Sequence, residues 1–212
     1  MKNLFSTENN WTRFNLAISV LAASIHVAAS LPATLPLAPA SSLVAADFNT
    51  GDRPNNLGGD FGSWDKDPED PTQSCRMSFD PDDAVLPKGE GYSLRLRYDV
   101  DSSNEAYNGF WMKLEGNDLS QYNTLSFYVK GDAKEGFTDR IKIEIKTFEK
   151  TGFLYVGGIT GQWKKISIPL KKFRKIKNFK PMNEFVIVFE DSMSVPKKGA
   201  ILIDQIAFSK EK

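Results

Sequence analysis

Histidine and cysteine are almost missing from this chain of 212 residues: there is one of each, His26 and Cys75. His26 lies in an apolar run from Phe14 to Ala29 near the N-terminus. That run follows Lys2 and Arg13 and leads into the small residues Ala28, Ala29 and Ser30, the layout of a secretory signal peptide. With cleavage expected near Ser30, the mature chain carries no imidazole, which excludes acid–base or metal chemistry that depends on histidine. A lone cysteine forms no internal disulfide; Cys75 is read as a small buried residue, with a link to a second chain as the alternative. Charge of one sign is not in excess, since 27 basic residues balance 27 acidic ones, so no whole-molecule field favours nucleic acid. Long apolar runs are absent too: Phe14 to Ala29 falls short of the roughly 20 residues a spanning helix needs. An uncleaved anchor is the lesser reading of that segment. There is no glycine-rich phosphate loop and no zinc-ligand spacing.

Residues 1–30 are therefore read as a signal peptide, 31–42 as a Pro/Ala-rich linker containing Pro32, Pro36 and Pro39, and 43–212 as one β-sandwich domain. The expected location is exported, either periplasmic or extracellular. Four segments between Tyr92 and Phe148 alternate apolar and polar residues: Leu94, Leu96 and Tyr98; Phe110, Met112 and Leu114; Leu125, Phe127 and Val129; and Ile141, Ile143 and Ile145. Side chains of a strand point alternately to opposite faces, so each segment reads as a strand with one buried and one wet face.

Leu43 to Phe48 reads as a first strand. Arg53 to Pro87, dense in Gly, Pro, Asp and Asn, reads as ordered loop with brief strands, anchored in the core by Trp64, Met77 and Phe79. Further strands are expected over Gly152–Thr160 and Trp163–Ile168. Leu170 to Lys180 reads as a short helical turn or packed loop pinned by Phe173, Ile176 and Phe179. Phe185 to Phe189 is apolar at every position and should be a central strand buried on both sides. Ala200 to Phe208 closes the domain, interrupted by Asp204. Short strands, strict alternation and almost no helix predict an all-β antiparallel sandwich of two sheets.

The wet rows then define a candidate ligand face. Trp111 and Tyr128 project opposite their strands' apolar rows, together with Arg95, Arg97, Lys113, Glu144 and Lys146; Tyr155 joins them with its strand phase unassigned. Exposed aromatic rings beside planar polar groups are what a sugar ring requires, because its apolar face stacks and its hydroxyls hydrogen-bond. The excess of Arg and Lys on this face points toward an anionic glycan. Two placements are open for Trp111: exposed on that face, or covered by the Arg53–Pro87 segment. The acidic residues Asp65, Asp67, Glu69 and Asp70 sit in a Pro-rich loop with no spacing that fixes two carboxylates across a cleft, so no enzyme activity is expected. Nucleic acid is not an expected partner either, because no exposed aromatics interleave with the basic residues of 164–180.

Asp47-Phe48, Asn55-Asn56-Leu57-Gly58-Gly59, Gly62-Ser63-Trp64, the run Gly161 to Leu170 with Phe173, and Ile201 to Phe208 fall in an order that resembles the galactose-binding-like jelly rolls. Within that group the chain is similar to carbohydrate-binding modules of the family-eleven type and to the complex I intermediate-associated protein family. The resemblance implies a two-sheet jelly roll, no catalysis, and a structural calcium, for which the matching positions are Asp47 and Asp204. The alternative for Asp204 is an acceptor of backbone hydrogen bonds. Two functions follow: a non-catalytic carbohydrate-binding module for a poly- or oligosaccharide, or an extracytoplasmic protein–protein interaction or assembly scaffold using the same face.

Overall fold

The computed structural model describes residues 42–86 and 90–211; the signal segment and nearly all of the linker lie outside them. Eleven strands follow in chain order: β1 (Ser42–Ala46), β2 (Phe61–Asp65), β3 (Ser74–Asp80), β4 (Ser93–Asp99), β5 (Tyr107–Lys113), β6 (Thr124–Gly131), β7 (Arg140–Thr147), β8 (Thr151–Gly157), β9 (Lys164–Pro169), β10 (Met182–Glu190) and β11 (Lys198–Ser209). The single helical element among them is a 3-10 turn at Leu170–Lys172. Sheet I has the order β3-β4-β11-β6-β9, with β1 also paired to β11; sheet II has the order β2-β5-β10-β7-β8. Every strand pair is antiparallel.

The alternating rows do what the pattern requires. Leu94, Leu96, Tyr98, Leu125, Phe127 and Val129 face inward from sheet I, and Phe110, Met112, Ile141, Ile143 and Ile145 from sheet II, all buried. The layers meet through rings such as Tyr98 and Phe189, stacked with centroids 4.2 Å apart. β10 is central, between β5 and β7, and its outward residues Val186 and Val188 are buried as well, which is why the stretch is apolar at every position. In β11 the register shifts between Asp204 and Ala207, with Gln205 at φ 49°, so both Ile203 and Ile206 reach the core.

The loop-rich segment before β4 contains two strands, and its anchors divide. Met77 and Phe79 pack against the core. Trp64 does not: β2 turns Phe61 inward, so Trp64, three residues on, stands on the outer face of sheet II beside Gly109. Phe173 and Ile176 are buried and Phe179 partly so, pinning the segment after the 3-10 turn while its lysines stay exposed.

Candidate functional site

The outer face of sheet II carries the site. Cross-strand register sets one row as Gly62, Trp111, Val186, Glu144 and Phe153, and the next as Trp64, Gly109, Val188, Lys142 and Tyr155. A third row runs Lys113, Glu184, Lys146, Thr151. Aromatic rings therefore occupy both flanks, Trp64 and Trp111 on one side and Phe153 and Tyr155 on the other. Small residues and valines lie between.

Polar groups across the floor form one continuous ladder. Glu190 pairs with Lys142 at 3.0 Å, Lys142 with Glu144 at 3.1 Å, Glu144 with Lys146 at 3.8 Å, Lys146 with Glu184 at 3.3 Å, and Glu184 with Lys113 at 2.6 Å. Its ends touch aromatic groups: the Tyr155 hydroxyl donates to Glu190 Oε2 at 2.8 Å, and Lys113 Nζ sits 5.5 Å from the Trp111 ring centroid. Burial works against charge on Glu184, yet the Lys113 hydrogen bond and the Lys146 charge hold its pKa below the ordinary carboxylate value. Lys142 is likewise disfavoured by burial, and hydrogen bonds from its ammonium to Glu190 and Glu144 reverse this and raise its pKa. The floor is thus fixed and charge-balanced. Beside it Trp64, Trp111, Lys113, Lys146, Glu184 and Val186 line a depression of about 320 Å³. Gly62 lets the Trp111 indole lie close over β2, since a Cβ there would be 3.2 Å from the ring.

The face expected from the sequence is split by the tertiary structure. Trp111, Lys113, Glu144, Lys146 and Tyr155 do come together on sheet II, and Trp111 is partly exposed rather than fully covered. Arg95, Arg97 and Tyr128 belong to sheet I, with the core between them and Trp111, so a platform pairing Trp111 with Tyr128 does not exist. Alternation gives the facing of a strand within its sheet, and says nothing about which sheet the strand joins. Nor are those arginines free. Arg95 is held by Asp80 at 2.6 Å and by Asp132, and Arg97 takes both oxygens of Glu135 at 2.5 Å. Segment 81–86 lies against part of that face: Asp83 accepts from Trp163 Nε1 at 3.0 Å and pairs with Lys130. The cationic excess expected on the aromatic face therefore disappears, since its three lysines meet three glutamates. Trp64, Phe153, Lys142, Glu184 and Glu190 are the contributors that sequence reading missed. The Gly62-Ser63-Trp64 stretch is too short to phase from sequence.

Asp47 and Asp204 bear on the calcium implied by resemblance. Asp204 is fully buried; its Oδ2 accepts from the Val85 amide at 2.8 Å, while Oδ1 has no partner. Burial raises its pKa to about 6, and the nearby Asp47 charge adds to the rise. The side-chain oxygen of Asn49, two residues from Asp47, is a second buried oxygen without a partner. Among the described residues no group of three or more His, Cys, Asp or Glu forms a metal site. These are two carboxylates and an amide oxygen, hard donors of the type calcium takes, although both Asp47 oxygens already accept hydrogen bonds, from Asn49 N and Asn56 Nδ2.

Solved structures share this architecture. The family 11 carbohydrate-binding module of cellulosomal cellulase Lic26A-Cel5E from Clostridium thermocellum matches with TM-score 0.56 and 15% identity, covering 80% of this chain and 95% of that one. The family 11 module from Clostridium thermocellum in complex with a β-1,3-1,4-mixed-linked tetrasaccharide matches with TM-score 0.51 and 16% identity, covering 71% and 88%. An exo-β-agarase matches with TM-score 0.59 and 10% identity over 80% of this chain but 25% of its own. No curated protein sequence is significantly similar to this chain. The sequence model of carbohydrate binding domain 30 matches residues 55–210, which spans β2 to β11, and with it the whole of sheet II and its aromatic flanks. The chain belongs to the carbohydrate binding domain 30 family, whose members are non-catalytic sugar-binding modules.

Proposed function

We propose that the outer face of sheet II binds a poly- or oligosaccharide laid across the strands, with sugar rings stacked on Trp64 and Trp111 at one end and on Phe153 and Tyr155 at the other. The observation that carries this is the pair of aromatic flanks around a charge-balanced ladder. From β5 to β8 is three strand spacings, about 14 Å, which is longer than one sugar ring and so favours the interior of a chain over a terminal unit. Carboxylate oxygens and ammonium groups of the floor supply acceptors and donors for hydroxyls, and their mutual pairing keeps them oriented before the ligand arrives. The mixed-linked tetrasaccharide bound by the Clostridium module makes a soluble β-glucan the first ligand to try. Affinity electrophoresis and calorimetry of residues 43–212 over a panel of soluble polysaccharides test the reading. Retardation by at least one of them is expected, and retardation by none sinks it. A protein partner becomes the better reading if a partner captured by this face stays bound in excess sugar.

Calcium and export belong to the same proposal. Asp47, Asn49 and Asp204 would hold the ion, whose charge would relieve the buried carboxylate of Asp204 and tie the end of β1 to β11. We expect calcium to raise Tm and chelator to lower it, with Asp204→Asn abolishing the difference. An equal Tm in both conditions removes the metal. Export is supported by the leader-like residues 1–30, and the N-terminal sequence of the protein recovered from culture checks it.

A further inference from the structure

On the floor of the site every ammonium has a carboxylate partner, and at one end that pattern stops. The β7–β8 hairpin and the segment after the 3-10 turn bring Lys150, Arg174, Lys175 and Lys177 around an open depression of about 550 Å³, completed by Glu149 and Thr151. A second depression of about 300 Å³ adjoins it, sharing Glu149, Lys150 and Lys177 and adding the exposed ring of Phe148. Lys180, at its edge, is paired with Asp118 at 2.8 Å. Among the described residues, Lys150, Arg174, Lys175 and Lys177 have no ion-pair partner.

The sequence builds this lip by a simple device. Phe173 and Ile176 are buried, so Arg174, Lys175 and Lys177 are left facing water. Gly152 lets the segment press against the start of β8: a Cβ there would lie 2.8 Å from Ile176 and 3.0 Å from Phe173. The lip also joins the floor. Lys175 Nζ lies 5.7 Å from the centroid of the Phe153 ring, which is also covered by Lys142 at 4.8 Å, and Thr151 continues the row of Lys146, Glu184 and Lys113. Four cations against the single carboxylate of Glu149 leave the hollow positively charged and open to an anion, and Arg174 offers the planar fork that a carboxylate or sulfate accepts in two hydrogen bonds.

We propose that this lip is a subsite for a carboxylate or sulfate group carried by the glycan, so that the domain prefers acidic polysaccharides to neutral ones of the same backbone. The inference rests on sheet II being the glycan face. Its continuity with the aromatic row through Lys175 and Phe153 favours a substituted glycan over nucleic acid or anionic lipid. The anion adds to binding on the neutral floor and does not replace it.

The test uses one soluble β-glucan before and after carboxymethylation or sulfation, measured by calorimetry with the 43–212 domain. In low salt the charged polymer is expected to bind about tenfold tighter, and the gain to vanish near 0.5 M salt, where the screening length falls to a few ångströms. Arg174→Gln with Lys177→Gln should bring the charged polymer to the affinity of the neutral one and leave the neutral one within about twofold of the parent protein. Equal affinity for both polymers in the parent, or a gain that survives the double variant, overturns the lip subsite and leaves the sheet II reading standing. Failure of both polymers to bind overturns the sheet II reading and the subsite with it. Tighter binding to short DNA or to phosphatidylglycerol vesicles than to the charged glucan at equal salt also overturns it.

Discussion

At the scale of single residues the clearest contrast is between arginines that build and lysines that wait. Arg95 is mostly buried and joins Asp80 and Asp132, while its neighbour Arg97 engages Glu135. Burial alone would raise the Asp80 and Asp132 pKa values, but the Arg95 hydrogen bonds bring both below the ordinary value; for Glu135 the bond to Arg97 does the same. Folded pKa values below the unfolded ones mean that this network stabilises the protein fully above about pH 5 and that the contribution fades as pH falls through the lowered values. Replacing Arg95→Met leaves Asp80 and Asp132 without their guanidinium partner, with an expected cost of about 2 kcal/mol at pH 7. Urea unfolding at pH 7 and pH 3 checks this, since the cost should shrink at the lower pH as the carboxylates take up protons. Cys75, by contrast, is buried with its thiol pKa driven far up by burial, so it is a packing residue and inert to thiol reagents until the domain unfolds.

At the scale of elements, period-two alternation made β4, β5, β6 and β7 legible, because each has one row against the core and one against water or a covering loop. The unbroken apolar run of β10 was legible as a central strand for the complementary reason. β2 was not phased: at five residues it has too few alternations to show that Phe61 turns inward and Trp64 outward. Gly62 matters in that short strand, and Gly62→Ala should displace the Trp111 indole that lies over it. Glycan affinity is expected to fall several-fold with little change in Tm, because the indole is partly exposed and can move; an unaltered affinity would show that the ring position is not used. The 81–86 segment is a loop, as its composition implies, but its contacts are set by tertiary structure. Asp83→Ala removes the acceptor for both Trp163 and Lys130, and we expect about 1 kcal/mol of destabilisation with unchanged sugar binding.

At the scale of the molecule, the two outer faces do different work. Sheet I is covered by its own loops and ion pairs, and sheet II is left with aromatic flanks open to solvent. Trp111→Ala is expected to weaken polysaccharide binding by about 2 kcal/mol, roughly thirtyfold in Kd, while Tyr128→Ala leaves it within about twofold. Calorimetry of both variants against one glucan decides the matter, and an equal loss from the two would mean that the wrong face has been assigned.

What the sequence determined alone follows from local physics. Each strand's inward and outward rows, the absence of an imidazole from residues 43–212, and the sandwich class are properties of adjacent residues and composition, and they need no partner strand to be read. Sheet membership is decided by pairings between distant segments: β10 inserts between β5 and β7, and β11 between β4 and β6. That long-range order alone placed Trp111 beside Trp64 and across from Phe153, and put Tyr128 on the far side of the core. Alternation repeats identically whichever sheet a strand enters, so the same kind of wet row carries the aromatic flanks in sheet II and a partly loop-covered, ion-paired face in sheet I.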